Sequence, residues 1–481
     1  MKKLCLGVLA LLAVLFLVAS IALLAAHVLQ DAVGARVKKE VVLKNGTDSF
    51  KAWENPPPPI YMQYYFFNVT NPLEVLQGAT PIVREVGPYT FRERKPRVDI
   101  HFLDNDTEVS SFKPVTYYFV REMSVGDPDV DRIRTVNVPA VTAMNMAAGT
   151  PLHFPVQIML MLYQETMFVT HTVNEWLWGY EDRFLSAVHK LRPSIDPKFG
   201  FFYKENGTDD GEYVMQSGEK NYLDFTKIVT WKGKDTVDYW SSPYANMING
   251  TDGSSFHPLI SRDETLYAFV SDFCRSIYVT FEQDVTVKGI PAYRFTAPPK
   301  FFANISVNPD NAGFCVGGHC LKAGLLNVSA CKQGAPIFLS PPHFYLCDEL
   351  YAKAIDGMHP NKGEHETFLD INALTGVLVR ASRRIQVNVY IRKLPDFQLT
   401  GNIQDLFFPV FYLNESVLID KASADKLKLA LFESSVVTSI PYIAMTIGII
   451  FGVLFVVLAC RPFRTREEGT KDERAPLIRT S

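Results

Sequence analysis

Two long uncharged runs, Leu4 to Ala26 and Ser434 to Cys460, bracket a chain whose other hydrophobic positions fall in short, interrupted groups. Each run exceeds the roughly 20 apolar residues that a helix rising about 1.5 Å per residue needs to cross about 30 Å of hydrocarbon. The first spans 23 residues, longer than the apolar core of about 7–15 residues in a cleaved signal peptide, and is read as an uncleaved anchor. Lys2 and Lys3 precede it, while Arg461, Arg464 and Arg466 follow the second run. Basic residues favour the cytosolic side, which puts both termini in the cytosol. The predicted division is a cytosolic N-terminus over 1–3, a membrane helix over 4–27, a luminal domain over 28–433, a second membrane helix over 434–460 and a cytosolic tail over 461–481.

Period-two alternation dominates the luminal domain. Ile385, Val387, Val389 and Ile391 alternate with Gln386, Asn388, Tyr390 and Arg392, and Ile277, Val279 and Phe281 with Tyr278, Thr280 and Glu282. This spacing predicts antiparallel strands with one buried face. Gly87-Pro88, Gly289, Pro291 and Gly376 punctuate such runs, favouring a meandering sheet or barrel over βαβ units. The expected class is therefore mainly β (α+β), in one domain without internal repeats. Pro56 to Pro59 predict a stiff polyproline segment leading into it. Helical character concentrates between Val141 and Leu191, where Pro155 can open a helix and Val156 to Tyr163 carries Gln157 as its one polar residue. That stretch is either a buried core helix or an exposed apolar face for a partner or lipid. His153, His171 and His189 lie on or beside it.

The ends carry four net positive charges out of a chain total of −3, which leaves −7 between the two runs. Nucleic acid is accordingly not an expected partner. Eight Asn-x-Ser/Thr acceptors, at Asn45, Asn68, Asn105, Asn206, Asn249, Asn304, Asn327 and Asn414, all lie between the runs, as a luminal domain requires. Five cysteines share that compartment, and the odd number leaves one thiol over. Gly317 and Gly318 allow Cys315 and Cys320 to close a small loop, Cys274 and Cys331 would staple a longer one, and Cys347 is the candidate free thiol. Zinc is the competing reading of Cys-x4-Cys, but a second ligand pair is missing and the lumen favours disulfides. Cys5 and Cys460, at the cytosolic helix ends, are palmitoylation candidates or plain apolar helix residues.

Catalytic signatures are missing from the sequence: it has no Gly-x-Ser-x-Gly elbow, no His-Glu-x-x-His helix and no P-loop. His365-Glu366 begins like a zinc motif, yet Leu369 stands where the second histidine belongs, and the pair is read as strand-edge solvation. No cofactor is expected. A two-helix channel shares the topology, but neither apolar run carries an ionisable residue of the kind that usually lines a pore. Gly448 and Gly452 form a Gly-x-x-x-Gly pair that could seat another helix, and a homodimer through it remains open.

Several longer motifs are more telling: Glu85-Val86-Gly87-Pro88-Tyr89, Leu177-Trp178-Gly179-Tyr180, Asp272-Phe273-Cys274-Arg275-Ser276, and Gly357-Met358-His359-Pro360 leading to Thr367-Phe368-Leu369-Asp370-Ile371. Spread over the whole chain and joined to the two-anchor topology, they resemble the class B scavenger receptor family. The resemblance implies a luminal antiparallel β-barrel with short helices at a membrane-distal apex, and an apolar tunnel that holds lipids such as cholesterol and phospholipids. It implies no enzymatic activity. In the family's lysosomal branch, the apex helices carry β-glucocerebrosidase and release it in acid. Here the apex maps to Thr150, His153, Phe154, Gln157, Ile158, Met161, Leu162 and Glu165. The branch uses a charged apex helix with a sensor histidine, whereas Val156 to Gln164 is uncharged here and Thr150 occupies the sensor position, with His153 three residues on. A cell-surface lipid or lipoprotein receptor without an enzyme cargo is the alternative.

The tail Asp472-Glu473-Arg474-Ala475-Pro476-Leu477-Ile478 resembles the ending of that lysosomal branch. Asp472 and Glu473 supply the acidic element, and Leu477 and Ile478 the apolar pair, of a dileucine-type signal for clathrin adaptors. The expected location is the lysosomal membrane.

Overall fold

The computed structural model describes residues 2–460. They form two compact units, one built from the residues up to 35 with those from 430 onward, the other from Arg36 to Leu429. In the first, the helices Lys2–Ala25 and Lys421–Cys460 include segments long and apolar enough to cross a membrane. The second of these helices starts well before the apolar run at Ser434, because Lys421 to Glu433 is also helical. Within this unit the Ser20 hydroxyl donates to the Pro441 carbonyl at 2.8 Å, and Phe16 meets Phe451 with ring centroids 6.1 Å apart. A Cβ on Gly448 would lie 3.1 Å from the Leu17 backbone nitrogen. Gly448 thus lets the chain's own first helix approach closely, and Gly452 meets the same helix at ordinary contact distance.

The larger unit is built on an eleven-stranded antiparallel sheet: β1 (Ile60–Val69), β2 (Val83–Arg94), β3 (Thr116–Phe119), β4 (Thr265–Val270), β5 (Arg275–Val287), β6 (Ile290–Thr296), β7 (Leu326–Asn327), β8 (Ile337–Ser340), β9 (Phe368–Ile371), β10 (Leu378–Ile391) and β11 (Leu406–Leu418). The order is β4-β5-β6-β9-β10-β11-β1-β2-β3, with β8 pairing β10 beyond the end of β9, and β7 pairing β8. Among the described residues no ladder joins β4 to β3, so the hydrogen-bonded path is open and not a closed barrel. A four-stranded sheet of Val98–Leu103, Glu108–Phe112, Tyr213–Gln216 and Ile228–Trp231 accompanies it.

Strand β10 departs from simple alternation. Ile385, Val387 and Val389 are buried, but so are Gln386 and Asn388 on the opposite face. The Pro342–Phe344 turn reaches that face, and β8 lies beside it as the next strand of the sheet. The buried amides are fully engaged: Gln386 Nε2 donates to Asn388 Oδ1 at 2.7 Å, and Asn388 Nδ2 donates to Ser340 Oγ at 3.0 Å. Gln386 Oε1 in turn accepts the His343 backbone N–H at 2.7 Å. Such pairing is the condition for burying polar side chains at all.

Helices cluster where the sequence places them, as Val138–Ala147, His153–Leu162, Val173–Trp178 and Arg183–Leu191. Their starts are capped by Asn137, Thr172 and Asp182 for the first, third and fourth, and Thr172 forms a reciprocal capping box with Glu175. Trp176 anchors the cluster, fully buried with Nε1 donating to the Ile133 carbonyl at 3.1 Å. Gly179 ends its helix at φ 113°, and a Cβ there would come within 2.8 Å of the Tyr203 ring. Close packing therefore accounts for the Leu177-Trp178-Gly179-Tyr180 motif.

Candidate functional site

The His153–Leu162 helix is the strongest candidate for a docking surface. Leu160 is buried and Val156 and Met159 pack partly onto the core, whereas Phe154, Ile158, Met161 and Leu162 are exposed by 64%, 47%, 62% and 69%. Their spacing of 4, 7 and 8 residues from Phe154 puts all four on one helical stripe. A surface helix normally turns its apolar stripe inward, whereas here both faces are apolar and one is left in solvent. Thr150 and His153 close the N-terminal end, Thr150 Oγ1 donating to the Ala147 carbonyl at 2.8 Å and His153 Nδ1 lying 2.6 Å from the Thr150 carbonyl. Gln157 sits half-buried at the side of the stripe. Glu165 is elsewhere in purpose: its carboxylate accepts from Asn137 Nδ2 at 2.7 Å, tying the loop to the start of the Val138–Ala147 helix, and burial raises its pKa.

Cys274–Cys331 and Cys315–Cys320 form disulfides, and Cys347 is free and half-buried. Gly317 and Gly318 both take positive φ between Cys315 and Cys320, which makes the tight loop sterically accessible. Of the acceptor asparagines, Asn45, Asn105 and Asn206 are exposed, and Asn68, Asn249, Asn304, Asn327 and Asn414 are half-buried. Asn414, in the middle of β11, donates Nδ2 to Gln63 Oε1 at 3.0 Å. Among the described residues no group of three His, Cys, Asp or Glu is placed to hold a metal ion. Asp472, Glu473, Leu477 and Ile478 lie outside the described residues.

Two ionisable clusters are invisible in the sequence. In the first, Lys95 Nζ bridges Glu93 at 2.9 Å and Glu415 at 2.6 Å, and Arg383 bridges Glu415 at 2.5 Å and Asp272 at 3.2 Å. Burial raises Glu93 to about 7, helped by the neighbouring Glu415 charge. Burial pushes Glu415 the same way, but Arg383 and Lys95 outweigh it and hold its carboxyl far below the usual range. One carboxylate of the pair therefore stays ionised while the other titrates near neutrality. Their residues come from β2, β10, β11 and the turn before β5, so no local pattern announces them.

In the second cluster, His365 is buried and stacks on His343 with ring centroids 4.4 Å apart, which replaces the reading of His365-Glu366 as a solvated strand edge. The Lys362–His365 turn of helix points the ring inward. His343 Nδ1 accepts the His359 backbone N–H at 3.0 Å, so Nε2 carries the proton and donates to Glu85 at 2.8 Å. His365 Nδ1 accepts the Asn361 backbone N–H at 2.9 Å. Burial and the adjacent His343 lower the His365 pKa to about 4. These bonds tie together Glu85 and His359 from two of the long motifs, whose role here is structural.

Residues 11–459 match the model of the CD36 family. The chain belongs to the CD36 family. Lysosome membrane protein 2 of Rattus norvegicus is 55% identical over 470 residues, and that of Homo sapiens 53%, each comparison covering 98% of both chains. Scavenger receptor class B member 1 of Cricetulus griseus is 37% identical over 393 residues, 81% of this chain and 76% of its own. Full-length similarity to lysosome membrane proteins, with two membrane-length apolar helices, makes this CD36-family member a two-pass lysosomal membrane protein of the scavenger receptor type.

Proposed function

We propose that this CD36-family chain is a non-enzymatic receptor that carries a luminal protein, β-glucocerebrosidase, to lysosomes and holds cholesterol or phospholipid inside its luminal domain. The eleven-stranded sheet, its ladder open between β3 and β4, would curl around the lipid tunnel as a barrel not closed by hydrogen bonds. The disposition expected of the domain is luminal over 28–433 between membrane helices at 4–27 and 434–460, with clathrin adaptors reading Asp472, Glu473, Leu477 and Ile478 in the tail. One observation carries the cargo reading: Phe154, Ile158, Met161 and Leu162 form an uncharged apolar stripe in solvent, the feature that marks interaction surfaces on soluble domains. Docking is expected to weaken in acid, as the resemblance to the lysosomal branch implies.

Pull-down of purified β-glucocerebrosidase by the full chain in detergent tests this. Capture is expected at pH 7, to be weaker at pH 5, and to be lost in I158E/M161E, whose changes are on the solvent side of the helix. Equal capture by the variant would exclude the stripe. Equal capture at both pH values would remove the acid release.

A further inference from the structure

A cavity of about 530 Å³ lies where the Asn55–Pro59 segment runs alongside the end of β2, and it is lined by Arg92, Glu93, Arg94, Lys95 and Tyr118 as well as the four prolines. Strand geometry puts Arg92 and Arg94 on one face of β2, about 7 Å apart. Tyr118 of β3 is directly opposite Arg92 in the ladder, and so joins them on that face. Lys95 is already committed to Glu93 and Glu415. Arg92 and Arg94 are exposed and make no ion pair among the described residues, leaving two positive charges unbalanced at the cavity wall.

Three features distinguish this from ordinary solvated arginines. Four consecutive prolines make a wall that needs no ordering on binding. The volume falls within the roughly 300–1,000 Å³ of small-molecule sites. The lining combines the two guanidinium groups with the proline rings and the Tyr118 ring. A carboxylate is saturated by one bidentate arginine, whereas a phosphate offers enough oxygens for two.

We propose that this cavity binds a phosphate ester, with Arg92 and Arg94 gripping the phosphate while the proline wall and Tyr118 cover the apolar part of the same molecule. Its source is either a phospholipid headgroup or a small soluble phosphate ester. The first source deepens the lipid-binding function proposed above and rests on it; the second does not.

Calorimetry on the full chain in non-ionic detergent tests the site, with dihexanoyl phosphatidic acid, glucose 6-phosphate and octanoate as probes. Saturable binding of the phosphatidic acid is expected, weakened about ten-fold or more in R92Q/R94Q with the melting temperature unchanged. Displacement by glucose 6-phosphate at similar concentration assigns the site to soluble esters, and failure to displace assigns it to the lipid headgroup. Equal binding by wild type and variant, no binding by either, or octanoate binding as tightly would overturn the proposal. Photolabelling with a cholesterol analogue in the same samples reads the tunnel separately: its loss, with phosphate binding intact, counts against the tunnel alone.

Discussion

At the scale of single residues, the ionisable groups act on stability in opposite directions. Folding raises Glu93 to about 7 by burial, so the native chain binds a proton that the unfolded chain, with a carboxyl near 4.5, has released. Between those values the native state holds more protons, and this contribution to stability grows as pH falls from 7 toward 4.5. His365 is the converse case, since its pKa drops from 6.5 to about 4; the unfolded chain binds more protons there, and stability is lost as pH falls through that window. E93Q removes the cost of an ionised buried carboxylate and is expected to stabilise the protein at pH 7.5 by on the order of 1 kcal/mol while leaving pH 5 nearly unchanged. Melting curves at the two values check this, and an equal shift at both would contradict the assignment. H365F should do the reverse in its pH dependence, shrinking the loss in acid, while lowering the melting temperature at pH 7 because the Asn361 N–H loses its acceptor. Neither group was legible in the sequence. His365 lies 22 positions from His343, and Glu93 and Glu415 are brought together only by the pairing of β1 with both β2 and β11.

Secondary elements were more legible, and their failures are instructive. The period-two pattern located β10 and β5, but it could not show that the second face of β10 is buried too, because Gln386 and Asn388 find their partners in the Pro342–Phe344 turn and in β8, some 40 to 50 residues away. The apolar stretch after Pro155 is a helix, yet its pattern left core and surface equally open; the structure divides it, with Leu160 inward and Phe154, Ile158, Met161 and Leu162 outward. Likewise, Gly-x-x-x-Gly spacing identifies a close-packing face and is silent on which helix occupies it. A Cβ on Gly452 would lie 4.0 Å from Ala13 Cβ, within the span of a disulfide. In a C5S/C460S background, A13C/G452C should therefore cross-link within one chain on mild oxidation in membranes. Adding G448V should suppress it, since its side chain would displace the Leu17 backbone. Cross-linked dimers on a non-reducing gel would instead show that the glycines face a second copy.

For the whole molecule, the topology was readable because membrane thickness, basic flanks and glycan acceptors act through length and position and need no tertiary contact. The proposed cargo carriage would couple two features of this arrangement: an apolar stripe in the larger unit and the dileucine-type address expected at Leu477 and Ile478 in the tail. Each feature makes its own prediction. L477A/I478A is expected to send both receptor and cargo to the cell surface, while I158E/M161E is expected to reach lysosomes without cargo. The most direct measurement is lysosomal β-glucocerebrosidase in cells lacking the endogenous receptor and expressing wild type, L477A/I478A or I158E/M161E. Restoration by wild type alone, with the I158E/M161E protein itself in lysosomes, is the predicted result. Full lysosomal enzyme with both variants would contradict the account.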